Sequence, residues 1–323
     1  MEDYRSLLKL CQGRELYVQA HNFPDPDALA SGHGLCRFLA AHGHKATLCY
    51  DGLLDKRAGR RMVELFSIDA VPLEQLPPLG DKAMVICVDS QKGNANLTPL
   101  AAEVSACIDH HPTFVPAQYD YCDIRRVGSC STMIAQYFQQ AGLPCDEDTA
   151  SALLYGIKMD TRQFARGVTP LDIEMFKFLN QYCDGQRLQR LANSRMAFAD
   201  LRAYASALET IQIYGSVGFS QIEIPCADDL IAMISDFFLS LDEIELSVAY
   251  AIREDGVKFS ARSKTEQVHV GEWVRRALEG LGSGGGHAYM AGGMIPPEQI
   301  PALGPYPDET IRDRFLAALP AEG

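Results

Sequence analysis

The chain has 323 residues, of which 47% are hydrophobic and 22% are charged, and this composition excludes a globally disordered protein. Its 29 lysines and arginines stand against 42 aspartates and glutamates, and the net charge of −13 argues against a protein that coats long duplex nucleic acid through a basic surface. At roughly 100–200 residues per domain, the length predicts two domains.

The first half of the chain alternates short apolar runs with stretches of helical periodicity. The apolar runs predict strands at Glu15–Ala20, Ala46–Tyr50, Ala83–Val88 and Val104–Ile108. The periodic stretches predict helices at Ala28–Ala41, Leu54–Leu65, Ser131–Ala141 and Asp148–Lys158. Because strands and helices alternate, we predict an α/β fold with a parallel sheet for the N-terminal domain.

The second half predicts a smaller α/β domain with a mixed sheet. From Asp172 to about Glu209 the pattern is almost entirely helical. The elements predicted after it are a strand pair in Thr210–Ile224, a helix over Asp228–Leu241, a hairpin of Glu245–Arg253 and Val257–Ser263, a helix over Val270–Leu281 and a glycine-rich turn over Gly282–Gly286. We therefore predict an N-terminal domain over residues 1–185, a helical linker over 186–210 and a second domain over 211–323.

The sequence gives no sign of export or of a membrane partner. Four charged residues among the first ten argue against a signal peptide, and no stretch approaches the ~20 apolar residues that span a bilayer. The ten cysteines are scattered and form no CxxC pair. We interpret them as reduced, mostly buried thiols of a cytoplasmic protein, and this disfavours a sulfur-ligated zinc site.

Polar residues follow the first predicted strand, in the segment His21-Asn-Phe-Pro-Asp25-Pro-Asp27. Ligands bind at the carboxyl ends of strands in open α/β sheets, so these side chains are candidates for a site. Two carboxylates and an imidazole this close together suit a bound cation. The alternative is that Asp25 or Asp27 only caps the helix that begins near Ala28.

Further candidates follow later elements. Asp89 comes directly after the strand that ends at Val88, and alone it could be a turn or cap residue. Asp109, His110 and His111 follow the next apolar run, and Asp160 follows a helix. Mixed carboxylate and imidazole ligands favour manganese, with cobalt, iron or magnesium as substitutes. Six ligands are too many for one catalytic ion and suit two ions about 3.5–4 Å apart that share a bridging carboxylate.

Taken in order, these motifs resemble those of the DHH-family phosphoesterases. HNFPDPDA at 21–28, Asp89 after Val88, DHH at 109–111 and GIKMD ending at Asp160 are similar to the four motifs of the family. GGGH at 284–287 and the preceding strand with Ser260–Ser263 resemble the DHH-associated C-terminal domain. The resemblance runs from about Leu7 to Pro296, and size and domain pairing are similar to the nanoRNase/pAp phosphatase group and to cyclic-dinucleotide phosphodiesterases.

The resemblance implies roles for these residues. One ion would be held by His21 and Asp25, the other by Asp27, His110 and Asp160, with Asp89 bridging both. Asp109 would orient a histidine, and His111 would face the substrate phosphate. A water that bridges the two ions would be acidified and would attack phosphorus, while the ions would neutralise charge on the phosphoryl oxygens.

The C-terminal domain would then select the substrate, in a cleft between the domains. The implied substrate-binding residues are Arg262, Ser263, Gly284, Gly285, Gly286 and His287. Arginine offers a bidentate fork to phosphate, and a glycine turn lets backbone amides approach it. For Arg262 alone an exposed structural residue is an equal alternative, and for the glycines alone a flexible turn. Arg162 and Arg166, after Asp160, depart from the nanoRNase pattern and could bind a substrate phosphate.

The sequence therefore predicts a two-ion, manganese-dependent hydrolase of short oligonucleotides or of dinucleotide and nucleotide phosphates. The alternatives are a cyclic-dinucleotide phosphodiesterase, a pyrophosphate or polyphosphate hydrolase, and a nucleotide-binding regulator without catalysis. The glycine-histidine motif argues against the pyrophosphate hydrolase, and the complete ligand set argues against the regulator. The sequence leaves open the preferred base, the polarity of cleavage and whether the chain forms a homodimer.

Overall fold

The computed structural model describes residues 3–54, 57–193, 196–265, 267–286 and 288–320. The chain divides into two compact units, Met1–Arg195 and Met196–Gly323. The division falls inside the segment predicted as a linker.

The first unit contains a parallel sheet with helices around it. Its strands are Glu15–Gln19 (β1), Ala46–Tyr50 (β2), Ala70–Pro72 (β3), Ala83–Val88 (β4), Glu103–Asp109 (β5) and Tyr121–Ile124 (β6). Its helices are Tyr4–Leu10 (α1), Pro26–Ala41 (α2), Arg57–Leu65 (α3), Cys130–Ala141 (α4), Glu147–Asp160 (α5), Pro170–Leu179 (α6) and Gly185–Asn193 (α7). A short 3₁₀ turn follows β3 at Leu73–Gln75.

The strand order of this sheet is β3-β2-β1-β4-β5-β6, and the described pairs are all parallel. Every residue of β4 is buried, because one face packs on the main core and the other on a smaller apolar cluster. The order of the strands reverses between β1 and β4. In open α/β sheets this switch point forms a crevice at the carboxyl ends of the strands, where ligands bind.

The second unit has a mixed sheet. Its strands are Gln212–Tyr214 (β7), Val217–Gln221 (β8), Leu246–Arg253 (β9), Gly256–Ser263 (β10), Ser283–Gly286 (β11) and Met290–Ile295 (β12). Its helices are Leu201–Thr210 (α8), Asp228–Phe238 (α9), Val270–Ala277 (α10) and Pro307–Ala317 (α11), with 3₁₀ turns at Phe198–Asp200 and Pro297–Leu303. The order is β11-β12-β10-β9-β8-β7, and β8 pairs with β9 in parallel while the other pairs are antiparallel.

The core of the second unit forms around aromatic side chains. Trp273 of α10 is buried against Phe315 of α11, with ring centroids 5.3 Å apart, and its indole N–H donates to the Phe315 carbonyl at 2.8 Å. The sole tryptophan is therefore a core residue, as its place on the apolar stripe of the helix predicts.

The stretch from Asp172 to Glu209 is mostly helical, as predicted, and is divided into α6, α7 and α8. Two predictions about elements were wrong. The helix from Val270 ends at Ala277 rather than Leu281, and the chain turns at Gly280 with φ of 78°. The predicted glycine turn over Gly282–Gly286 is largely the edge strand β11, because it pairs with β12.

The remaining global expectations concern membranes and thiols. Among the described residues, no helix has both the length and the hydropathy needed to cross a bilayer. All ten cysteines are free thiols, and six of them are buried.

Candidate metal centre

The loops at the carboxyl ends of β1, β4 and β5 and the end of α5 bring the predicted ligands of the first unit together. Three sets of side chains each place ligand atoms within 4.8 Å of one another. They are His21, Asp25 and Asp89; Asp27, His110 and Asp160; and Asp89, His110 and His111. Asp89 shares one set with His21 and Asp25 and another with His110, and the resemblance assigns these residues to different ions, so Asp89 lies where a bridging carboxylate would be needed.

The first set is built at the start of α2. Asp25 caps this helix, and its Oδ1 accepts hydrogen bonds from the amides of Asp27 and Ala28 at 2.9 and 3.0 Å. His21 Nδ1 lies 2.8 Å from the Asn22 carbonyl, and its Nε2 lies 3.9 Å from Asp25 and 3.8 Å from Asp89. The capping role that the sequence leaves open for Asp25 is present, and the same carboxylate also faces His21.

Asp27 is held from the other side by α4. It is 1% exposed, and its two carboxylate oxygens accept from the amides of Cys130 and Ser131 at 2.7 and 2.9 Å. Unpaired amides at a helix N-terminus bind anions, so α4 fixes this carboxylate in place. Close packing of α5 leaves little space there, since a Cβ on Gly156 would lie 3.1 Å from Asp27 Oδ1.

Asp89 and His110 meet at the centre of the site. Asp89 has a left-handed backbone with φ of 54°, which is unusual outside glycine and is found at functional sites. His110 Nε2 lies 3.3 Å from Asp89 Oδ1 and 3.2 Å from Asp160 Oδ2. His110 Nδ1 lies 3.1 Å from the Val127 carbonyl, and this contact leaves Nε2 as the ring atom that faces the carboxylates.

The residues fit divalent ions. Both His110 Nε2 and Asp89 Oδ1 are buried and have no hydrogen-bond partner within the described part of the chain. Buried polar atoms are rarely left without partners. His110 Nε2 lies 3.2–3.9 Å from carboxylate oxygens of Asp27, Asp89 and Asp160, and these distances are close to those between neighbouring ligand atoms of an ion bound at about 2.1 Å. A carboxylate-rich set with imidazoles is the chemistry that manganese and related divalent ions prefer.

The cluster is electrostatically costly without a cation. Burial and the charge of Asp27 raise the pKa of Asp89 to about 6, and burial and the charge of Asp160 raise the pKa of Asp27 to about 6. Burial also raises the pKa of Asp160 to about 6. Burial disfavours protonated His110, but Asp89 and the neighbouring carboxylates outweigh it and raise its pKa to about 11. Without metal, the three aspartates and His110 therefore bind protons more tightly than they would in water.

Asp109 lies beneath His111 and fixes its ring. It is fully buried, and its Oδ1 lies 2.9 Å from His111 Nδ1. Burial opposes ionisation of Asp109, but hydrogen bonds from His111 and Gln91 outweigh it and lower its pKa. The same contact with Asp109 raises the pKa of His111, whose side chain is 46% exposed.

Sequence reasoning missed two supports of this site. Gln91 Nε2 donates to Asp109 Oδ2 at 2.7 Å, and the N-terminal amides of α4 hold Asp27. Gln91 follows Asp89 by two residues, but nothing in the pattern distinguishes it from an ordinary loop residue. The capping serine Ser129 before an apolar periodic run is a sequence signal for the start of α4.

The turn after Asp160 has an uncommon backbone. Arg162, Gln163 and Phe164 have φ of 48°, 58° and 65°, all in the left-handed region. Arg166 returns towards the site, where its Nη2 donates to the Asp160 carbonyl at 3.0 Å and lies 3.7 Å from Asp160 Oδ1. Arg166 therefore contacts Asp160, a candidate metal ligand.

The second unit contains the other predicted site residues. Arg262 donates to Asp236 Oδ1 at 2.8 Å and to Ser260 Oγ at 2.9 Å, and its side chain is 12% exposed. Ser263 is buried, and its hydroxyl donates to the Thr265 carbonyl at 2.8 Å. Gly284, Gly285 and Gly286 form most of the edge strand β11. His287 lies outside the described residues.

Comparison with known families agrees with this two-part organisation. The model of the DHH family N-terminal domain matches residues 15–157. The model of the DHHA1 domain matches residues 216–311. The two matches do not overlap, and together they span about three quarters of the chain.

Three curated relatives match across most of this chain. An uncharacterized protein of Methanocaldococcus jannaschii is 27% identical over 87% of this chain and 58% of its own length. The cyclic-di-AMP phosphodiesterase GdpP of Bacillus subtilis is 26% identical over 85% of this chain and 44% of its own. The bifunctional oligoribonuclease and PAP phosphatase NrnA of Thermus thermophilus is 25% identical over 90% of this chain and 86% of its own length. The chain thus spans about half the length of the first two.

A solved structure shares the fold along nearly the whole chain. An exopolyphosphatase-related protein from Bacteroides fragilis aligns with a TM-score of 0.76 and 16% identity, over 97% of this chain and 96% of that one. At this identity the likeness concerns the fold. With a DHH domain, a DHHA1 domain and the motif residues gathered in one centre, this chain belongs to the DHH family of phosphoesterases.

Proposed function

We propose that this chain hydrolyses phosphoric ester bonds in short oligonucleotides or in dinucleotide and nucleotide phosphates. The observation that carries the proposal is the position of Asp89, which lies in one ligand set with His21 and Asp25 and in another with His110. Two divalent ions, with manganese as our choice, would be held by His21, Asp25, Asp27, Asp89, His110 and Asp160. Bound there, the ions would supply a water of lowered pKa and neutralise charge on the phosphoryl oxygens.

The chain's own residues would orient and stabilise the reacting phosphate. His111 is the exposed member of the centre, and Asp109 accepts from its Nδ1, so Nε2 is free to face a substrate. Because the contact with Asp109 raises the pKa of His111, the charged form is favoured, and it can donate a hydrogen bond to a phosphoryl oxygen. We propose Asp109 and His111 as the catalytic pair, with Asp109 acting as the positioning residue.

The second unit would bind the remainder of the substrate. We propose Arg262, Ser263, Gly284, Gly285, Gly286 and His287 as its contacts. Arg262 is held by Asp236, so a substrate phosphate would have to compete with that carboxylate or share the guanidinium with it. The negative net charge suits short substrates bound by a few groups better than long nucleic acid. Free thiols throughout the chain support a cytoplasmic location as part of the proposal.

A second candidate function is hydrolysis of a cyclic dinucleotide. The match to GdpP, a cyclic-di-AMP phosphodiesterase, extends over 85% of this chain and favours it. The difference between the two candidates lies in the substrate and not in the metal centre, so one assay can compare them.

The test is product release in the presence of manganese from pApA, pGpG, a short RNA, cyclic di-AMP, pAp and pyrophosphate. Asp89→Asn removes the shared charge at nearly constant size. Asp255→Asn, in the exposed turn between β9 and β10, is the matched control. We expect a linear substrate to be cleaved by the parent and by the control and to be spared by Asp89→Asn.

Other outcomes would change the assignment. Preference for cyclic di-AMP would replace the linear substrates with the second candidate. If the parent binds manganese but cleaves none of the panel, the substrate assignment fails. If Asp89→Asn retains full activity, the shared carboxylate is not part of the catalytic centre and the proposal fails.

A further inference from the structure

Exposed apolar side chains of the first unit concentrate at the edge of the sheet that carries the metal centre. Among its described residues, the large hydrophobics with high exposure are Phe23, Leu53, Phe114, Val115 and Ile173. The first four lie in loops that follow the carboxyl ends of β1, β2 and β5. Single exposed hydrophobics are ordinary, but their clustering around a polar centre is typical of a surface that binds a ligand.

Phe23 is the member of this group closest in sequence to the ligands. It lies two residues after His21 and two before Asp25, so its Cα is within about 7 Å of the Cα of each. Its side chain is a flat aromatic ring, and the residue is 63% exposed. A large apolar ring is thus presented to solvent beside the centre where phosphate would react.

The backbone of Phe23 is fixed in an unfavourable conformation. Its φ is 54°, a left-handed value that bulky residues rarely adopt. Its amide donates to the Asp51 carbonyl at 2.8 Å, while the neighbouring Asn22 bonds to the segment of Asn96 and Thr98. These contacts on both sides hold the turn in place, so the ring position does not depend on a mobile loop.

One side of the ring is supported by glycine. A Cβ on Gly52 would lie 2.6 Å from Cε1 of Phe23, so only glycine lets the ring pack this closely against the end of β2. Gly52 itself has φ of 85°. Supported on one side and open on the other, the ring has the form of a stacking platform.

We propose that Phe23 stacks on a nucleobase of the substrate and makes the centre selective for phosphate esters that carry a base. Every base has a π-face, and stacking on aromatic side chains contributes about 1–3 kcal/mol per base. Inorganic pyrophosphate and polyphosphate carry no base that could stack on this ring. The inference rests on the proposed function and narrows its substrate class to nucleotides.

The test compares two substrates that differ only in their bases: pApA and a 5′-phosphorylated dinucleotide analogue with abasic positions. Phe23→Asn removes the ring, and asparagine tolerates the left-handed backbone. Phe23→Trp keeps an aromatic platform. Phe198→Ala removes another exposed phenylalanine, 89% accessible in the second unit, and is the matched control. Calorimetric unfolding of each variant verifies that it folds.

We expect the parent and Phe198→Ala to cleave pApA more efficiently than the abasic analogue. Phe23→Asn should reduce kcat/KM for pApA by about 5- to 150-fold, the range of one lost stacking contact, and should bring the kcat/KM values of the two substrates close together. Phe23→Trp should restore the preference. An equal loss on both substrates would mean that Phe23 acts only through the backbone of its turn, and this result overturns the inference.

A binding measurement separates this inference from the proposed function. Stacking quenches the fluorescence of 2-aminopurine, so a dinucleotide that carries this base reports on the platform without hydrolysis. If the parent cleaves nothing but quenches the probe, and Phe23→Asn does not, the proposed hydrolysis fails and the platform stands. If the parent and Phe23→Asn quench equally, the inference is refuted whether or not the chain is an enzyme.

Discussion

Replacing Asp89 by asparagine should have opposite effects on stability with and without metal. Asp89 is 3% exposed, and burial, followed by the charge of Asp27, raises its pKa from 3.8 to about 6. A shift of about two pKa units corresponds to about 3 kcal/mol. Since the folded state binds the proton more tightly than the unfolded state, the penalty is absent below pH 3.8 and complete above pH 6.

At pH 7.5 the metal-free Asp89→Asn variant should therefore be more stable than the metal-free parent by up to about 3 kcal/mol. In a unit of this size that gain would raise the midpoint of thermal unfolding by roughly 6–12 °C. With the two ions of the proposed function, manganese should reverse the order, because the variant lacks the shared carboxylate. At 100 times the dissociation constant each bound ion stabilises the folded state by about 2.7 kcal/mol, so two ions exceed the advantage of about 3 kcal/mol that the metal-free variant has.

Differential scanning calorimetry at pH 7.5, with EDTA and then with manganese, measures both effects on the same samples. A second series at pH 5 should show the metal-free parent gaining stability relative to the variant as Asp89 takes up its proton. The reasoning is refuted if the metal-free variant is less stable than the parent at pH 7.5. It is also refuted if manganese stabilises both proteins equally.

Three further predictions concern other parts of the chain. Burial lowers the pKa of His33 to about 4, so protonation of this group should reduce the free energy of unfolding by about 3 kcal/mol as the pH falls from 6.5 to 4. Urea unfolding should show this loss in the parent and not in His33→Gln. A Cβ on Gly156 would lie 2.3 Å from Ser131 Oγ, so Gly156→Ala should destabilise by about 1–3 kcal/mol and, by displacing Asp27, weaken manganese binding in a calorimetric titration. A Cβ on Gly285 meets no atom within 4 Å, so Gly285→Ala should leave unfolding unchanged and raise KM if this strand approaches phosphate.

The sequence predicts the central sheet well because its strands are buried on both faces. A continuous apolar run of the length of Ala83–Val88 favours a buried strand over a helix, and β4 begins and ends at those residues. The short edge strands β3 and β6 were not predicted. β3 has three residues and ends in proline, and β6 contains Asp123, so neither shows the strand pattern on its own. Their conformation depends on pairing with β2 and β5.

The gathering of the candidate ligands was predictable for a related reason. Each of His21, Asp89 and His110 follows a strand of one parallel sheet, and parallel strands bring their carboxyl ends to one edge. The supports of these ligands could not be predicted in the same way. Gln91 and the amides of Cys130 and Ser131 act through contacts between segments that are distant in sequence, and no local pattern encodes those contacts.

The glycines of β11 show that a motif can indicate the right family while the conformation predicted for it is wrong. Glycine disfavours strands, so the sequence predicts a turn, yet a Cβ at Gly284 would lie 2.6 Å from Val274 of α10. A Cβ at Gly286 would lie 2.4 Å from the Met290 carbonyl. Close packing against α10 and β12 therefore requires these two glycines even if no ligand binds. Gly285 has no such requirement, and it is the position at which a role in binding phosphate can be separated from a role in the fold.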